Sequence, residues 1–398
     1  MTDKKLYRQR SKKKVRYGPD MRILIVGGGV AGLTLSALLL KRGFRPKLVE
    51  RAPRLSKVGY VIVLWPSGSK ILKGLGVYEK LLEKGCQFTN YYVSNNKGEI
   101  LKTYTIDPVA EKYGPIISIY RPDLIDTLME AVDPDIVQMS TTVEKIEQGA
   151  DEVEVHFNNG KSGKYDLVIG CDGIRSRTRS QVLGDIPLTY SGMSGWSFWT
   201  DPKLSRTDGI VEYWGKGKFF GVWPTKDKLS VFTSVKIPEN SEEHLDNRIQ
   251  KIKESFKEFG GIVPQMLEHL PDPNEIYFDT YNDIKLDSWS KGRVVLVGDS
   301  AHAILPNTGA GASMAMESAS VLVEDLCRTD SRYVLNALKQ YEQRRKPRVN
   351  KVQNQSRMMG RLVYSNSSLL SNLRDYVLKL YSNDLVYKYW DNLLKDPI

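Results

Sequence analysis

Arg22-Ile-Leu-Ile-Val-Gly-Gly-Gly-Val-Ala-Gly32, continuing to Lys47-Leu-Val-Glu50, is the stretch whose reading decides the fold. Ile23 to Val26 is a run of branched aliphatics, the pattern of a strand buried on both faces of a parallel sheet. It runs into Gly27, Gly29 and Gly32 at G-x-G-x-x-G spacing, then into a helical segment from Leu33 to Leu40 that stops at Gly43. A second short strand, Lys47 to Val49, ends on Glu50. In such a unit the first glycine permits a tight turn and the second lets a pyrophosphate approach the backbone. The third lets the helix pack on the strand. The helix N-terminus offers free N–H groups and partial positive charge to phosphate, and an acid at the end of the second strand accepts ribose hydroxyls. The stretch reads as a dinucleotide site. Ile23 to Leu40 also carries no charged residue, but three consecutive glycines argue against a continuous membrane-spanning helix.

The chain has 398 residues, 41% hydrophobic and 26% charged, which suits one large or two medium globular domains. Its net charge of +11 is concentrated at the start. Residues 1–20 carry Lys4, Lys5, Arg8, Arg10, Lys12, Lys13, Lys14 and Arg16 against Asp3 and Asp20. With little to bury, this arm reads as a basic flexible tail; it gives no firm nucleic-acid partner and at most weak contact with an anionic membrane surface. Cys86, Cys171 and Cys327 are widely spaced without a C-x-x-C, which fits a reducing, cytoplasmic setting and neither a disulfide framework nor zinc. His156, His244, His269 and His302 form no metal-ligand pattern.

Downstream, residues 86–106 read as a hairpin around Asn95-Asn-Lys-Gly98, and Arg121-Pro-Asp-Leu124 opens a helix with proline in its first turn. Val153–Phe157 and Tyr165–Ile169 read as strands about an Asn-Asn-Gly turn, the second ending in Gly170-Cys-Asp172-Gly173. From 187 to 278 the pattern changes to extended, aromatic-rich segments containing Trp196, Trp199, Trp214 and Trp223, interrupted only by a helical Glu242–Leu270. Arg293-Val-Val-Leu-Val-Gly298-Asp299 restores the buried-strand style, and Pro306-x-x-Gly309-x-Gly311 leads into an alanine-rich helix from Ala312. Ser367–Leu394 reads as one amphipathic helix whose face Leu369, Leu370, Leu373, Tyr376, Val377, Leu380 and Tyr381 is expected to pack on the core. Arg344-Arg-Lys-Pro-Arg348 reads as a solvated helix face.

Three motifs in this order resemble the single-component FAD-dependent aromatic hydroxylases, the para-hydroxybenzoate hydroxylase-like flavoprotein monooxygenases. They are the glycine fingerprint with Glu50, Asp172-Gly173, and Gly298-Asp299 followed by Pro306 and Gly309-Ala-Gly311. The resemblance spans residues 21–360. It implies an α/β fold: a Rossmann-like, glutathione reductase-like FAD domain with an inserted, mostly antiparallel substrate sheet and C-terminal helices. The expected divisions are a tail at 1–20 and the FAD-binding domain at 21–85, 107–186 and 279–360. The substrate sheet takes 86–106 and 187–278, and a C-terminal helix 361–398.

Carried over by the resemblance, the FAD-binding positions are Gly27, Gly29, Val30, Ala31 and Gly32 of the fingerprint, then Glu50 with Arg51, and Arg121. Asp172 with Gly173, Asp299, and Pro306, Gly309, Gly311 and Ala312 complete the set. Glu50 would hold the adenosine ribose and Asp299 the ribityl chain, with Asp172 shared between pyrophosphate and NAD(P)H. The implied reaction consumes NAD(P)H and O2 and inserts one oxygen atom into an aromatic or polycyclic small molecule through a flavin C4a-hydroperoxide. Ala310 and Ser313 stand where the family often has Gln and Asn, and Tyr60-Val61 where small residues are usual. Tyr213, Trp196 and Trp223, with Phe198 and Phe220 beside them, are the aromatics of the sheet expected to face the substrate. His302, after the Gly-Asp motif, reads equally as a flavin contact or a structural histidine. Alternative readings are an FAD-dependent reductase of an apolar, isoprenoid-like substrate and a non-catalytic flavoprotein with a nucleic-acid-binding arm. Monomer and homodimer are both compatible with the sequence.

Overall fold

A computed structural model describes residues 18–55, 59–239 and 241–395. Most of the basic arm expected at 1–20 therefore lies outside the described residues. The strand Ile23–Val26 is buried along its whole length and lies inside a six-stranded sheet, between the parallel strands Leu167–Gly170 and Lys47–Val49. Val294–Leu296 pairs in parallel with Leu167–Gly170, so two neighbouring strands are separated in sequence by five of the seven strands of a second, inserted sheet. The carboxyl ends of these strands carry the glycine fingerprint, Asp172-Gly173 and Gly298-Asp299, where open α/β sheets place ligands. No described helix is long and apolar enough to cross a membrane; Ile23 to Leu40 folds as a strand, a loop and the start of the helix Val30–Lys41.

The inserted sheet has seven strands in the order Tyr277–Asp283, Thr189–Thr200, Leu229–Lys236, Lys218–Pro224, Gly209–Trp214, Asn90–Asn95, Ile100–Thr105. All its pairings are antiparallel except that of Gly209–Trp214 with Asn90–Asn95. The hairpin turn forms as the sequence implies: Asn95 Oδ1 accepts the N–H groups of Lys97 and Glu99, and Gly98 adopts φ +87°. It begins at Asn90, however, because Cys86–Gln87 pairs instead with Ile117–Tyr120 in a small separate sheet. Likewise the run read as one strand from Tyr165 divides: Ser162–Tyr165 closes a hairpin with Val153–Phe157, and Leu167–Gly170 enters the parallel sheet.

The C-terminal region corrects the sequence reading in two ways. It holds two helices, Ser368–Leu380 and Asn383–Leu394, broken at Tyr381-Ser382, where Ser382 caps the second. The apolar stripe of the first faces outward, with Leu369 78% and Leu380 68% exposed. Ser371 and Arg374 are the residues it buries. Arg374 donates to the Val363 carbonyl at 2.8 Å and lies over the Trp214 ring at 5.5 Å. Periodicity locates an apolar stripe but does not say which side of the helix meets protein.

The basic cluster of the long helix Val334–Val363 is also not a solvated face. Arg345 and Arg348 are buried against Glu317 of Gly311–Cys327 at 3.0 and 3.5 Å. Of the three arginines only Arg344 reaches the surface, pairing with Glu324 and Asp325. Glu317→Ala strands two buried guanidinium groups and is expected to destabilise the protein by about 3–5 kcal/mol. Urea denaturation of the FAD-loaded protein measures the loss, and a Glu317→Leu/Arg345→Met double variant should recover part of it.

Candidate active site

The fingerprint glycines divide the labour their spacing implies. A Cβ on Gly32 would sit 1.9 Å from the Gly27 carbonyl oxygen, so helix Val30–Lys41 rests directly on the turn. Gly27 has φ +110°, and a Cβ there would meet the Cys171 carbonyl oxygen at 2.5 Å. At Gly29 nothing lies within 4 Å of the Cβ direction, and the residue lines a cavity of about 670 Å³. The helix it caps receives no side-chain cap, leaving its first N–H groups to serve an anion. Glu50 is held by the backbone: Oε2 accepts Gly28 N–H at 2.7 Å and Oε1 accepts Ala52 N–H at 2.9 Å. Both oxygens keep acceptor capacity for a ribose. Arg51 is exposed on the surface.

Gly298, at φ +68°, brings the third motif against the first, since a Cβ there would stand 2.9 Å from Ala31 Cβ and 3.3 Å from Ala315 Cβ. The second motif is tied to the third: Ser300 Oγ donates to the Gly170 carbonyl at 2.6 Å, and Arg179 donates to the Ser300 carbonyl at 3.1 Å. Asp172 works within its own loop, accepting Ser176 Oγ at 2.5 Å and Thr178 N–H at 2.9 Å. Its neighbours Cys171 and Gly173 line the cavity instead.

Asp299 and Arg121 both line that cavity, near enough for the guanidinium to act on the carboxyl. Asp299 is ringed by protein yet open to the cavity; burial pushes its carboxyl above the ordinary range, and Arg121 draws it back. Val30, Ala31, Pro306, Gly309, Gly311 and Ala312 complete this end. Gly311–Cys327 starts there without a side-chain cap, its positive end turned to the cavity. These residues fit an extended dinucleotide, with phosphate donors at one end and a carboxylate and a helix terminus at the other. His302 belongs to the core: its Nε2 lies 2.9 Å from Ser318 Oγ and its ring 4.8 Å from Trp289. Burial, reinforced by Arg345, lowers its pKa to about 3, so the ring is neutral.

Side-chain parity decides which sheet residues reach the cavity. Trp223 does, as expected. Trp196 and Tyr213, with Phe198 and Phe220, do not. They point to the opposite face and pack on Ile252, Phe256, Val263 and Met266 of the two helices behind the sheet. The Tyr213 hydroxyl accepts Ile262 N–H at 3.3 Å, and Trp196 Nε1 reaches Glu243 at 3.4 Å. Their neighbours one position along, Glu212 and Trp214, face the cavity with Phe219 and Phe232. Tyr91 and Tyr104 of the hairpin stack at 5.2 Å and form a second wall. Trp390, from the last helix, stands 6.5 Å from both Tyr91 and Trp65. Strand alternation from a cavity-facing Trp223 through the Gly209–Trp214 pairing could have found Glu212; nothing local in the sequence points to Trp390.

With that geometry in hand, the chain matches the model of the FAD binding domain family over residues 20–356. It belongs to this family. The chain is 30% identical over 369 residues to the aurachin C monooxygenase/isomerase of Stigmatella aurantiaca, covering 92% of this chain and 96% of that protein. It is 28% identical over 366 residues to the 2-heptyl-3-hydroxy-4(1H)-quinolone synthase of Pseudomonas aeruginosa, 91% and 95% of the two chains. The crystal structure of Klebsiella pneumoniae HpxO with FAD and uric acid superposes with a TM-score of 0.89 at 25% identity, over 96% of this chain and 98% of that one. The protein is thus an FAD-dependent flavoprotein monooxygenase with NAD(P)H as electron donor.

Gly29→Ala places a methyl group where the cavity wall is open, so it should leave folding intact and weaken FAD binding at least about tenfold, roughly 1.4 kcal/mol. Gly32→Ala collides with backbone and should yield little folded protein. Flavin fluorescence titration and circular dichroism of the two purified variants separate these effects.

Proposed function

We propose that the protein hydroxylates a flat aromatic heterocycle carrying an apolar side chain. The observation that carries this reading is the continuity of the cavity. It leads from the glycine fingerprint, past Asp299 and the aromatic wall of Trp223 and Phe232, to an apolar mouth between the long helix and the C-terminal pair. At that mouth Val377 and Tyr381 line the cavity while remaining 46% and 36% exposed. A planar ring suits the aromatic section, and an alkyl chain suits the mouth. The relationship to a 2-heptyl-3-hydroxy-4(1H)-quinolone synthase supports the same class, because that product joins a bicyclic ring to a heptyl chain.

Bound FAD supplies the redox chemistry, taking hydride from NAD(P)H and activating O2 for transfer of one oxygen atom. The protein's own contribution is orientation, electrostatics and exclusion of water. The N–H groups at Val30 and Ala31 would hold the pyrophosphate, Glu50 the adenosine ribose and Asp299 the ribityl chain. Gly309 and Gly311 would admit the flavin ring, and the helix beginning at Gly311 would turn its positive end toward it. Trp223, Phe219 and Phe232 fix the substrate plane; their ring centroids are 5.9–6.3 Å apart in tilted and edge-on contacts.

A panel of 2-heptyl-4(1H)-quinolone, urate, 4-hydroxybenzoate and tetracycline, scored for NADPH oxidation, hydrogen peroxide and product mass, tests the reading. The heptylquinolone should stimulate oxidation most and yield a product heavier by one oxygen. In a 2-alkyl series, each methylene removed should weaken binding about fourfold, corresponding to about 0.8 kcal/mol per buried CH2. Preference for urate or 4-hydroxybenzoate, or indifference to chain length, would overturn the assignment.

A further inference from the structure

Glu212 is a carboxyl group set in the aromatic part of the cavity, remote in role from the FAD positions. Strand pairing puts it in one row across the sheet with Lys102, Val93, Gly221 and Phe232, and its side chain faces the cavity. Its Oε2 accepts Trp214 Nε1–H at 2.8 Å. Its Oε1 has no hydrogen-bond partner among the described residues.

The groups around it offer no counter-charge. Tyr91 and Tyr104 on the hairpin and Tyr389 on the last helix have their hydroxyls pushed up, first by burial and then by the Glu212 carboxylate. Tyr364, after the long helix, is pushed up by burial, opposed by a hydrogen bond with Ser234, and to a smaller extent by Glu212. Arg374 is committed to Asp375 at 2.8 Å and to the Val363 carbonyl. The Lys102 ammonium donates to the Tyr381 carbonyl at 2.6 Å. An unpaired carboxylate is costly in such surroundings. Burial raises its pKa to about 7, opposed by the Trp214 hydrogen bond, so near neutrality it is divided between acid and carboxylate. Its free oxygen calls for a donor that the substrate would bring.

We propose that Glu212 anchors the substrate by accepting a hydrogen bond at Oε1 from a ring N–H or O–H, and removes that proton as the conjugated ring carbon is hydroxylated. This rests on the hydroxylase reading above and adds a selection rule: the site takes a neutral heteroaromatic with a donor and disfavours anionic, carboxylate-bearing rings. The atoms balance as follows. The ring N–H bond breaks, its proton going to Glu212, and ring electrons form the new C–O bond to one oxygen of O2. The O–O bond breaks and the second oxygen leaves as water; NAD(P)H supplies a hydride, solvent one proton, and the ring C–H the last proton of the new hydroxyl and the water. Loss of the C–H proton then restores the aromatic ring, while Glu212 returns its proton to nitrogen. Glu212 is a catalytic residue in this scheme because it touches the substrate, and a general base suits a group titrating near the working pH.

The test uses FAD-loaded wild type, Glu212→Gln and Glu212→Leu with 2-heptyl-4(1H)-quinolone, its N-methyl analogue and 4-hydroxybenzoate. Flavin absorbance and thermal melting check that both variants hold FAD and fold. For wild type, product formed per NADPH should rise with pH through about 7, as the carboxylate form accumulates. In Glu212→Gln, which still accepts from Trp214 but cannot take a proton, that ratio should fall at least tenfold, show no such rise, and be replaced by hydrogen peroxide. The N-methyl analogue should be poor for all three proteins, and Glu212→Leu should bind 4-hydroxybenzoate more tightly than wild type does. Wild-type coupling and an unchanged pH profile in Glu212→Gln would overturn the proposal. If wild type prefers a compound other than the quinolone, the substrate class fails separately. Glu212→Gln compared on that preferred compound then decides the role of Glu212 by the same criterion.

Discussion

The contact on which the rest depends is between two glycines. Helix Val30–Lys41 can lie where it does only because Gly32 carries no side chain above the Gly27 carbonyl, 1.9 Å from where a Cβ would be. That approach aims the helix N-terminus across the ends of the parallel strands. Gly298 makes a second contact of this type against Ala31 and Ala315, so the three motif loops close around one volume. Cys171 and Gly173, Asp299, and the start of Gly311–Cys327 then form its walls. A side chain at either glycine would separate loops far apart in sequence, and the cavity would lose its phosphate end.

A second constraint shapes the other end. The inserted sheet is covered on one face by the helices Leu245–Phe256 and Val263–Glu268, so the residues pointing there become core whatever their chemistry. Tyr213 and Trp196 were expected to face the substrate as aromatics of the sheet, yet their polar atoms are satisfied behind it by Ile262 N–H and Glu243. Glu212, one residue earlier, is turned by strand pleat to the cavity, where burial moves its titration to about 7. A one-residue difference in parity separates a packing residue from a chemical one. The wall opposite Glu212 comes from the C-terminal helices, which bring Tyr389 and Trp390 over the hairpin tyrosines.

The sequence by itself determined the parallel nucleotide-binding sheet, the order of its three motifs, the interruption by an aromatic sheet, and the FAD-binding fingerprint. These were legible because each depends on local rules: backbone freedom at glycine, aliphatic runs in doubly buried strands, and a carboxylate at a strand end. Even there, the hydrogen bonds of Asp172 within its own loop and the exposure of Arg51 were not legible in the motifs. Only the tertiary structure decided which face of the inserted sheet meets the cavity, and that the apolar stripe of Ser368–Leu380 faces outward beside its mouth. It alone buried Arg345 and Arg348 against Glu317 and set Glu212 unpaired among tyrosines. The physical reason is that local pattern records which residues can share a face, whereas burial and charge depend on what packs against that face from elsewhere in the chain.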